Sequence, residues 1–318
     1  MPDVISLGEA LFDLFAGPAG TTLGTARTFT PAPGGAPANV AVGLARLGID
    51  AGFVGRVGDD SFGGRLLDVL REEGVDTAQC LPVAGGRTTI ALVATSSPVD
   101  QDFVLFRGAD TLLRPEHVDR ACLAGARVFT YGSVTLSASA RDAALQAARW
   151  AREDGVLVAF DANYRPGVWP GAAAARDAIV EALGCADIAK LNEVELKLVT
   201  GTEDLRAGSR RILDLGVRLC LITLGADGAW FDDGRVSGSV PGFGAEVVDT
   251  TGCGDAFLAA FLAGLVAEPR MLDELDRGTL LRLVEAANAA GAINATRHGA
   301  IAGLATPAEI DVLLAGGD

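Results

Sequence analysis

The residues best placed to do chemistry lie in the run Val247-Val248-Asp249-Thr250-Thr251-Gly252-Cys253-Gly254-Asp255-Ala256-Phe257. A β-like run ends at Asp249, a turn of small residues follows, and an apolar helix starts near Gly254. The first turn of a helix leaves backbone N–H groups unpaired and carries the positive end of the dipole. Gly252 and Gly254 let a ligand approach the backbone closely. Together these features make an anion site of the kind that holds phosphate. Asp255 falls in the first turn. A carboxylate there repels a resting pyrophosphate but is useful beside a phosphoryl group in flight. It takes the proton of an attacking hydroxyl while the amides stabilise the transferred charge. Simple helix capping accounts for Asp255 equally well. A dinucleotide fingerprint does not, because Phe257 stands where G-x-G-x-x-G needs its third glycine and the turn does not follow the first strand.

Other segments carry similar double readings. In Lys190-Leu191-Asn192-Glu193-Val194-Glu195, Asn192 and Glu195 share one face at the start of a helix. An amide and a carboxylate can hold hydrated Mg²⁺ there, or they can close a capping box. Ile222–Ala229, with Gly225 and Gly228, reads as a nucleotide-wrapping turn or as a tight hairpin into Trp230. Pro33-Gly34-Gly35-Ala36-Pro37-Ala38-Asn39 offers bare backbone to a ligand or is a helix entry turn. Asp161-Ala162-Asn163-Tyr164-Arg165 follows a strand, at the end where open α/β sheets bind ligands.

The elements that must position these residues alternate. Val4–Leu7, Ala51–Val57, Val128–Thr130, Val156–Phe160, Asp187–Lys190 and Leu219–Thr223 read as strands. Residues 36–47, Phe62–Glu73, Ser137–Arg152, Ala172–Leu183 and Leu205–Leu215 read as helices. The alternation predicts an α/β protein with a mostly parallel sheet covered by helices on both faces. Residues 11–33 and 86–108 break the pattern. The first holds short extended pieces. The second reads as a hairpin of Arg87–Ala94 and Asp102–Phe106 around a turn at Ser96–Gln101. They predict a small sheet standing off the main body, either a lid over a site or a plain peripheral hairpin. Gly254–Val266 and Thr279–Ala295 read as buried helices. No linker interrupts the chain, so residues 1–318 read as one domain.

Composition excludes several classes. The chain has 318 residues, 49% of them hydrophobic, which is globular rather than disordered. A net charge of −15 repels nucleic-acid backbones. Cys80, Cys122, Cys185, Cys220 and Cys253 are odd in number and lack C-x-x-C spacing, which fits a reducing cytoplasm and no zinc site. The N-terminal segment lacks a signal-peptide pattern, and no uninterrupted apolar run reaches the ~18 residues of a membrane span. G-x-x-x-x-G-K-[ST], H-E-x-x-H and G-x-S-x-G are all absent.

Taken in order, these motifs resemble the ribokinase-like (pfkB-type) carbohydrate kinases over nearly the whole chain. Gly34-Gly35 with Asn39, and Phe53–Gly63, match the family's N-terminal signature. Asp249–Asp255 matches the C-terminal one, and Asn192–Glu195 its N-x-x-E. The resemblance implies a three-layer sandwich with a mostly parallel central sheet and a β-sheet lid formed by about 11–33 and 86–108. It implies Asp255 as the base, with the amides of Gly252, Cys253 and Gly254 as the anion hole. Lys190, Asn192, Glu195, Thr223, Gly225, Gly228 and Asn288 would serve ATP, with Mg²⁺ held at Asn192 and Glu195 through water. Asp13, Gly34, Gly35, Asn39, Arg107 and Arg165 would bind the sugar. Asp249, Thr251, Asn294, Arg297 and Gly299 would form a monovalent-cation loop for K⁺, mostly through carbonyls. Cys253 departs mildly from the small residue usual there. Family members often dimerise through the lid.

Phe106–Asp110, Tyr131–Ser137 and Asp161–Trp169 look most like fructokinases, which implies an ATP-dependent kinase acting on D-fructose. A 2-keto-3-deoxygluconate kinase is the alternative. There Arg107 and Arg165 would meet a substrate carboxylate. A non-catalytic sensor on the same fold and a nucleotide-cofactor oxidoreductase are more distant readings.

Overall fold

The structure, a computed structural model, describes residues 1–18, 20–97 and 100–316. The apolar run β1 (Val4–Gly8) is buried at every position, as a strand covered on both faces must be. It lies between β4 (Ala51–Gly58) and β8 (Val128–Gly132), parallel to both. The parallel sheet continues through β9 (Leu157–Asp161), β10 (Ile188–Asn192) and β11 (Leu219–Thr223) on one side. On the other side β5 (Asp76–Val83) flanks β4. An antiparallel hairpin of β12 (Ala229–Asp232) and β13 (Ser237–Val240) closes the far edge. The order is β13-β12-β11-β10-β9-β8-β1-β4-β5.

Helices Arg141–Glu153, Ala172–Leu183 and Leu205–Leu213 pack on one face, around Phe129, Tyr131 and Phe160. Helices Ala36–Arg46, Cys253–Ala267 and Arg277–Ala295 pack on the other, around Phe231, Phe257 and Phe261. The result is the expected three-layer α/β architecture.

A separate sheet joins β2 (Leu11–Gly17), β3 (Thr28–Gly34), β6 (Ile90–Ser97) and β7 (Asp100–Phe106) in the order β3-β2-β6-β7. The short pieces expected in 11–33 are two full strands paired from Leu11↔Gly34 to Gly17↔Thr28. β6 starts at Ile90 rather than Arg87. The reason is that Thr88 N–H and Thr89 Oγ1 are tied to the carboxylates of Asp60 and Asp110 instead of a strand partner. Of the expected turn, Pro98 and Val99 lie outside the described residues.

Three further differences have local causes. The β-like run before Asp249 is not a strand: Val248 and Asp249 N–H groups both bond the Ala295 carbonyl, at 2.8 and 3.2 Å, at the end of a helix. The helix expected from Ser137 starts at Arg141, after a separate turn at Ser133–Leu136. β5 and β13 lack the buried apolar signature because they are the edge strands of the sheet, and β12, though buried, spans only four residues.

Helices Ala36–Arg46 and Cys253–Ala267 cross closely. A Cβ placed on Gly43 would lie 2.7 Å from the Ala259 Cβ. Glycine inside a helix costs about 1 kcal/mol against alanine, and here the close crossing requires it. Gly43→Val is expected to lower stability by about 1–3 kcal/mol in urea denaturation, the overpacking cost outweighing the gain in helix propensity.

Candidate active site

The crossing brings two helix starts together. Asn39, near the start of Ala36–Arg46, donates from Nδ2 to Asp255 Oδ2 at 2.7 Å. Asp255 lies in the first turn of Cys253–Ala267 and is 6% exposed. Burial, and then the nearby Asp161 charge, push its carboxyl up to about 6; Asn39, Lys190 and Arg165 oppose this. A carboxylate poised there is an effective proton acceptor near neutrality. The Asn39 Oδ1 is buried with no partner, so an acceptor beside Asp255 awaits a donor.

Gly252 opens the helix with φ 83°, a conformation glycine adopts without a steric cost. The Cys253 N–H makes a long bond to the Thr250 carbonyl at 3.3 Å. Burial raises the Cys253 thiol to about 12, so it stays protonated and packs as a small group. A Cβ on Gly254 would lie 2.6 Å from Lys190 Nζ. Lys190 thus sits directly against the backbone of this helix start, buried and paired with Asp161 at 3.0 Å. Asn192 and Glu195 form the capping box: Asn192 Oδ1 accepts the Glu195 N–H at 2.9 Å, and Glu195 Oε2 accepts the Asn192 N–H at 2.7 Å. Glu195 Oε1 also accepts the Tyr164 N–H at 2.7 Å, tying this helix start to the loop after β9.

On the small-sheet side, Asp13 lies against Gly34, where a Cβ would strike its carboxylate. Burial raises Asp13 to about 7; Arg165 lowers it, and Asp255 and Asp249 raise it. Asp13, Asp255 and Arg165 therefore share one electrostatic neighbourhood. Gly35 lies against the Glu9 carbonyl. Arg107 is held elsewhere. It pairs with Asp110 at 2.5 Å and donates to the Val134 carbonyl at 3.0 Å and Ser137 Oγ at 2.9 Å. Its guanidinium is thus engaged in a structural ion pair.

Gly225 and Gly228 lie in the turn between β11 and β12, so the hairpin reading holds as well. Gly228 abuts the Val240 carbonyl, and Asn288 Nδ2 donates to the Val240 and Pro241 carbonyls, both at 3.1 Å. Thr223 Oγ1 donates to the Leu191 carbonyl at 3.4 Å. Asn192 and Thr223 are paired neighbours in the sheet, so the start of this wall lies beside the capping box.

Asp249 accepts from Thr251 N–H and Oγ1 at 2.9 and 2.7 Å and from Gly299 N–H at 3.0 Å. This laces the loop before the helix to the segment after Arg277–Ala295. Arg297 pairs with Glu309, so only its backbone faces the remaining role. Asn294 donates to the Ala300 carbonyl at 2.9 Å, and its Oδ1 is buried without a partner.

Residues 1–307 match the pfkB family carbohydrate kinases. The chain belongs to that family. It is 40% identical over 314 residues to fructokinase-1 of Oryza sativa subsp. japonica, covering 98% of this chain and 96% of that protein. The fructokinase from Vibrio cholerae O395, solved with fructose, ADP and calcium, superposes with TM-score 0.89 at 32% identity and 99% coverage of both chains. The fructokinase from Xylella fastidiosa, solved with ATP, does so with TM-score 0.89 at 31% identity and 99% coverage of both. The fold is therefore ribokinase-like, and the protein is a carbohydrate kinase.

The donor set fits the implied ions. Among the described residues no group of three or more His, Cys, Asp and Glu could cage a metal. Mg²⁺ usually keeps several waters and takes one or two carboxylates plus substrate phosphates, a set that the Glu195 carboxylate beside the Asn192 amide fits. The orphaned Asn294 Oδ1, in the last turn of the helix Arg277–Ala295, is a hard oxygen of the kind that suits a monovalent cation. Among the described residues no helix is long and apolar enough to cross a membrane.

Sequence reasoning passed over Glu9, Asp161 and Asn163. The last two lie in the quoted stretch after β9, but only Arg165 was singled out there. Glu9 is 4% exposed and accepts from Thr135 Oγ1 at 3.0 Å; burial lifts it to about 7 against the pull of Arg107. Glu9, Asp13 and Asp255 all have folded values above their unfolded ones, so the fold holds protons that the unfolded chain releases. That stabilisation is complete below about pH 4 and is lost as pH rises through about 6 to 7. The melting temperature of the ligand-free protein is expected to fall between pH 5 and 8, with a shallower slope in Glu9→Gln.

Proposed function

We propose that this kinase transfers the γ-phosphoryl group of ATP to a primary hydroxyl of D-fructose, giving fructose 6-phosphate. The carrying observation is a buried carboxylate, Asp255, at a glycine-opened helix start, held by Asn39 and facing the Asp13–Arg165 side. The fructokinase relatives support the choice of sugar. The keto-acid alternative asks two arginines to face a substrate carboxylate, and Arg107 is already spent on Asp110.

In this reading Asp13, Asn39, the Gly34-Gly35 backbone and Arg165 hold the sugar hydroxyls. Asp255 takes the proton of the attacking hydroxyl as its oxygen bonds to the γ-phosphorus. The bond to the β–γ bridging oxygen breaks, and ADP leaves with that electron pair. Amides of Gly252, Cys253 and Gly254 meet the developing charge. Thr223, Gly225, Gly228 and Asn288 wall the nucleotide, and Lys190, Asn192 and Glu195 face its phosphates. Asn192 and Glu195 would hold Mg²⁺, which would supply charge neutralisation for the phosphates. K⁺ in the loop of Asp249, Thr251, Asn294, Arg297 and Gly299 would brace the helix start. The small sheet acts as a lid that keeps water from competing as acceptor.

The test is ADP release with Mg-ATP and K⁺ across fructose, 2-keto-3-deoxygluconate, ribose, glucose and adenosine. Fructose is expected to dominate. Asp255→Ala is expected to lose at least about 10³-fold in kcat while ATP and fructose still bind. Near-normal turnover in that variant, or preference for the keto acid, would overturn the assignment.

The outer face of the lid supports self-association. Alternation puts Leu14, Leu92, Val104 and Phe106 on the side away from Asp13. Val104 and Phe106 are 41% and 59% exposed. We propose a homodimer through this face. Sedimentation is expected to give twice the 32.5 kDa chain mass. Val104→Glu with Phe106→Glu should sediment as a monomer.

A further inference from the structure

Among the described residues, Asn163 is the only non-glycine with a positive φ, at 28°. L-residues reach that region at a steric cost, asparagine more readily than most. Its surroundings enforce it. The Asn163 N–H donates to Asp161 Oδ1 at 3.1 Å, and Ser133 Oγ donates to the Asn163 carbonyl at 3.4 Å. On either side, Ala162 N–H donates to the Lys190 carbonyl at 3.0 Å and Tyr164 N–H to Glu195 Oε1 at 2.7 Å. Asp161 is itself locked by Lys190, at 3.1 and 3.0 Å to its two oxygens. Three consecutive residues are thus pinned by three different elements. The outcome is a buried side chain, 8% exposed, whose Nδ2 lies 3.5 Å from Asp255 Oδ1. Asn39 already donates to the other oxygen, Oδ2, at 2.7 Å.

We propose that Asn163 is a positioning residue for Asp255, completing with Asn39 a two-amide clamp that fixes the plane of the carboxylate. The inference rests on the reading of Asp255 as the base. With Asn39 alone, the carboxylate can pivot about one contact. A second donor on the other oxygen removes that freedom, and each oxygen keeps a further lone pair for the substrate proton. The donors are neutral, so they orient the base without the strong loss of basicity that a cation in contact would impose. At 3.5 Å the Asn163 contact is long. Catalytic contacts commonly shorten in the reactive complex, and here the pinned loop already aims the amide. The ion pair of Asp161 and Lys190 gains a purpose in this scheme: it is the anchor from which the Asn163 loop is hung.

Asn163→Gly separates the amide from the backbone, because glycine accepts the observed φ. The variant is expected to melt with the wild type, keep KM for fructose and ATP within about threefold, and lose kcat by about 10- to 100-fold. Losing a donor to the charged form should also move the acidic limb of kcat upward by about half a pH unit. Asn163→Ala should show the same kcat loss with a lower melting temperature. Wild-type kcat and pH profile in Asn163→Gly would overturn the proposal and leave Asn163 a backbone residue only. A raised KM for fructose with unchanged kcat would also overturn it, assigning the amide to the sugar. One readout is independent of turnover: the Asp255 carboxyl ¹³C titration in the ligand-free protein. It should midpoint higher in Asn163→Gly, and coincident curves would overturn the clamp even if fructose proved to be the wrong acceptor.

Discussion

The site depends on one contact, the 2.7 Å hydrogen bond from Asn39 to Asp255, and on the helix crossing that makes it possible. The two residues are 216 positions apart in the chain. They meet because Gly43 and Ala259 allow two helices to approach closely on the same face of the sheet. A carboxylate is costly to bury unless donors meet it. Here the donor is an uncharged amide, which holds the group without quenching its basicity. The glycine turn before the second helix then leaves backbone amides beside that carboxylate. The proposed base and anion site are therefore one structural unit, and the rest of the fold fixes its two halves.

Charge around this unit is dominated by acids. Glu9, Asp13, Asp161, Glu195 and Asp255 are all buried, against the buried Lys190 and the exposed Arg165. Lys190 is committed to Asp161, and burial raises several of the carboxyls. Such a site stores electrostatic strain in the ligand-free state. It is suited to a neutral polyhydroxylated substrate, whose hydroxyls can donate to buried carboxylates. It also makes the cations that accompany the nucleotide more than spectators, since phosphates add further negative charge to an acidic pocket.

Several sequence features carried two readings, and in each the local structural one is physically present. Asn192 and Glu195 make a complete capping box, and the same hydrogen bonds fix Glu195 at the strand ends where phosphates are proposed to lie. Gly225 and Gly228 make a hairpin turn in which Gly225 is exposed, whereas Gly228 is packed against the Val240–Gly242 segment. Arg107 went the other way: Asp110, three residues on, captured it, an ion pair that local sequence allows but does not dictate. The run before Asp249 is no strand because Val248 and Asp249 bond a helix terminus instead, which no period-two pattern reveals.

The sequence by itself determined the alternating α/β order, the glycine-opened helix at Asp255, the capping box and the existence of a small off-body sheet. Each rests on interactions within a few residues or on a local pattern of burial, and such signals are written in adjacent positions. Only the tertiary structure decided that Asn39 reaches Asp255, that Lys190 lies against Gly254 and pairs with Asp161, and that Asn163 is bent into a left-handed turn toward Asp255. These depend on which strands are neighbours and how closely helices cross. Backbone dihedrals and long-range packing set such distances to fractions of an ångström, and residue types along the chain carry no direct record of them.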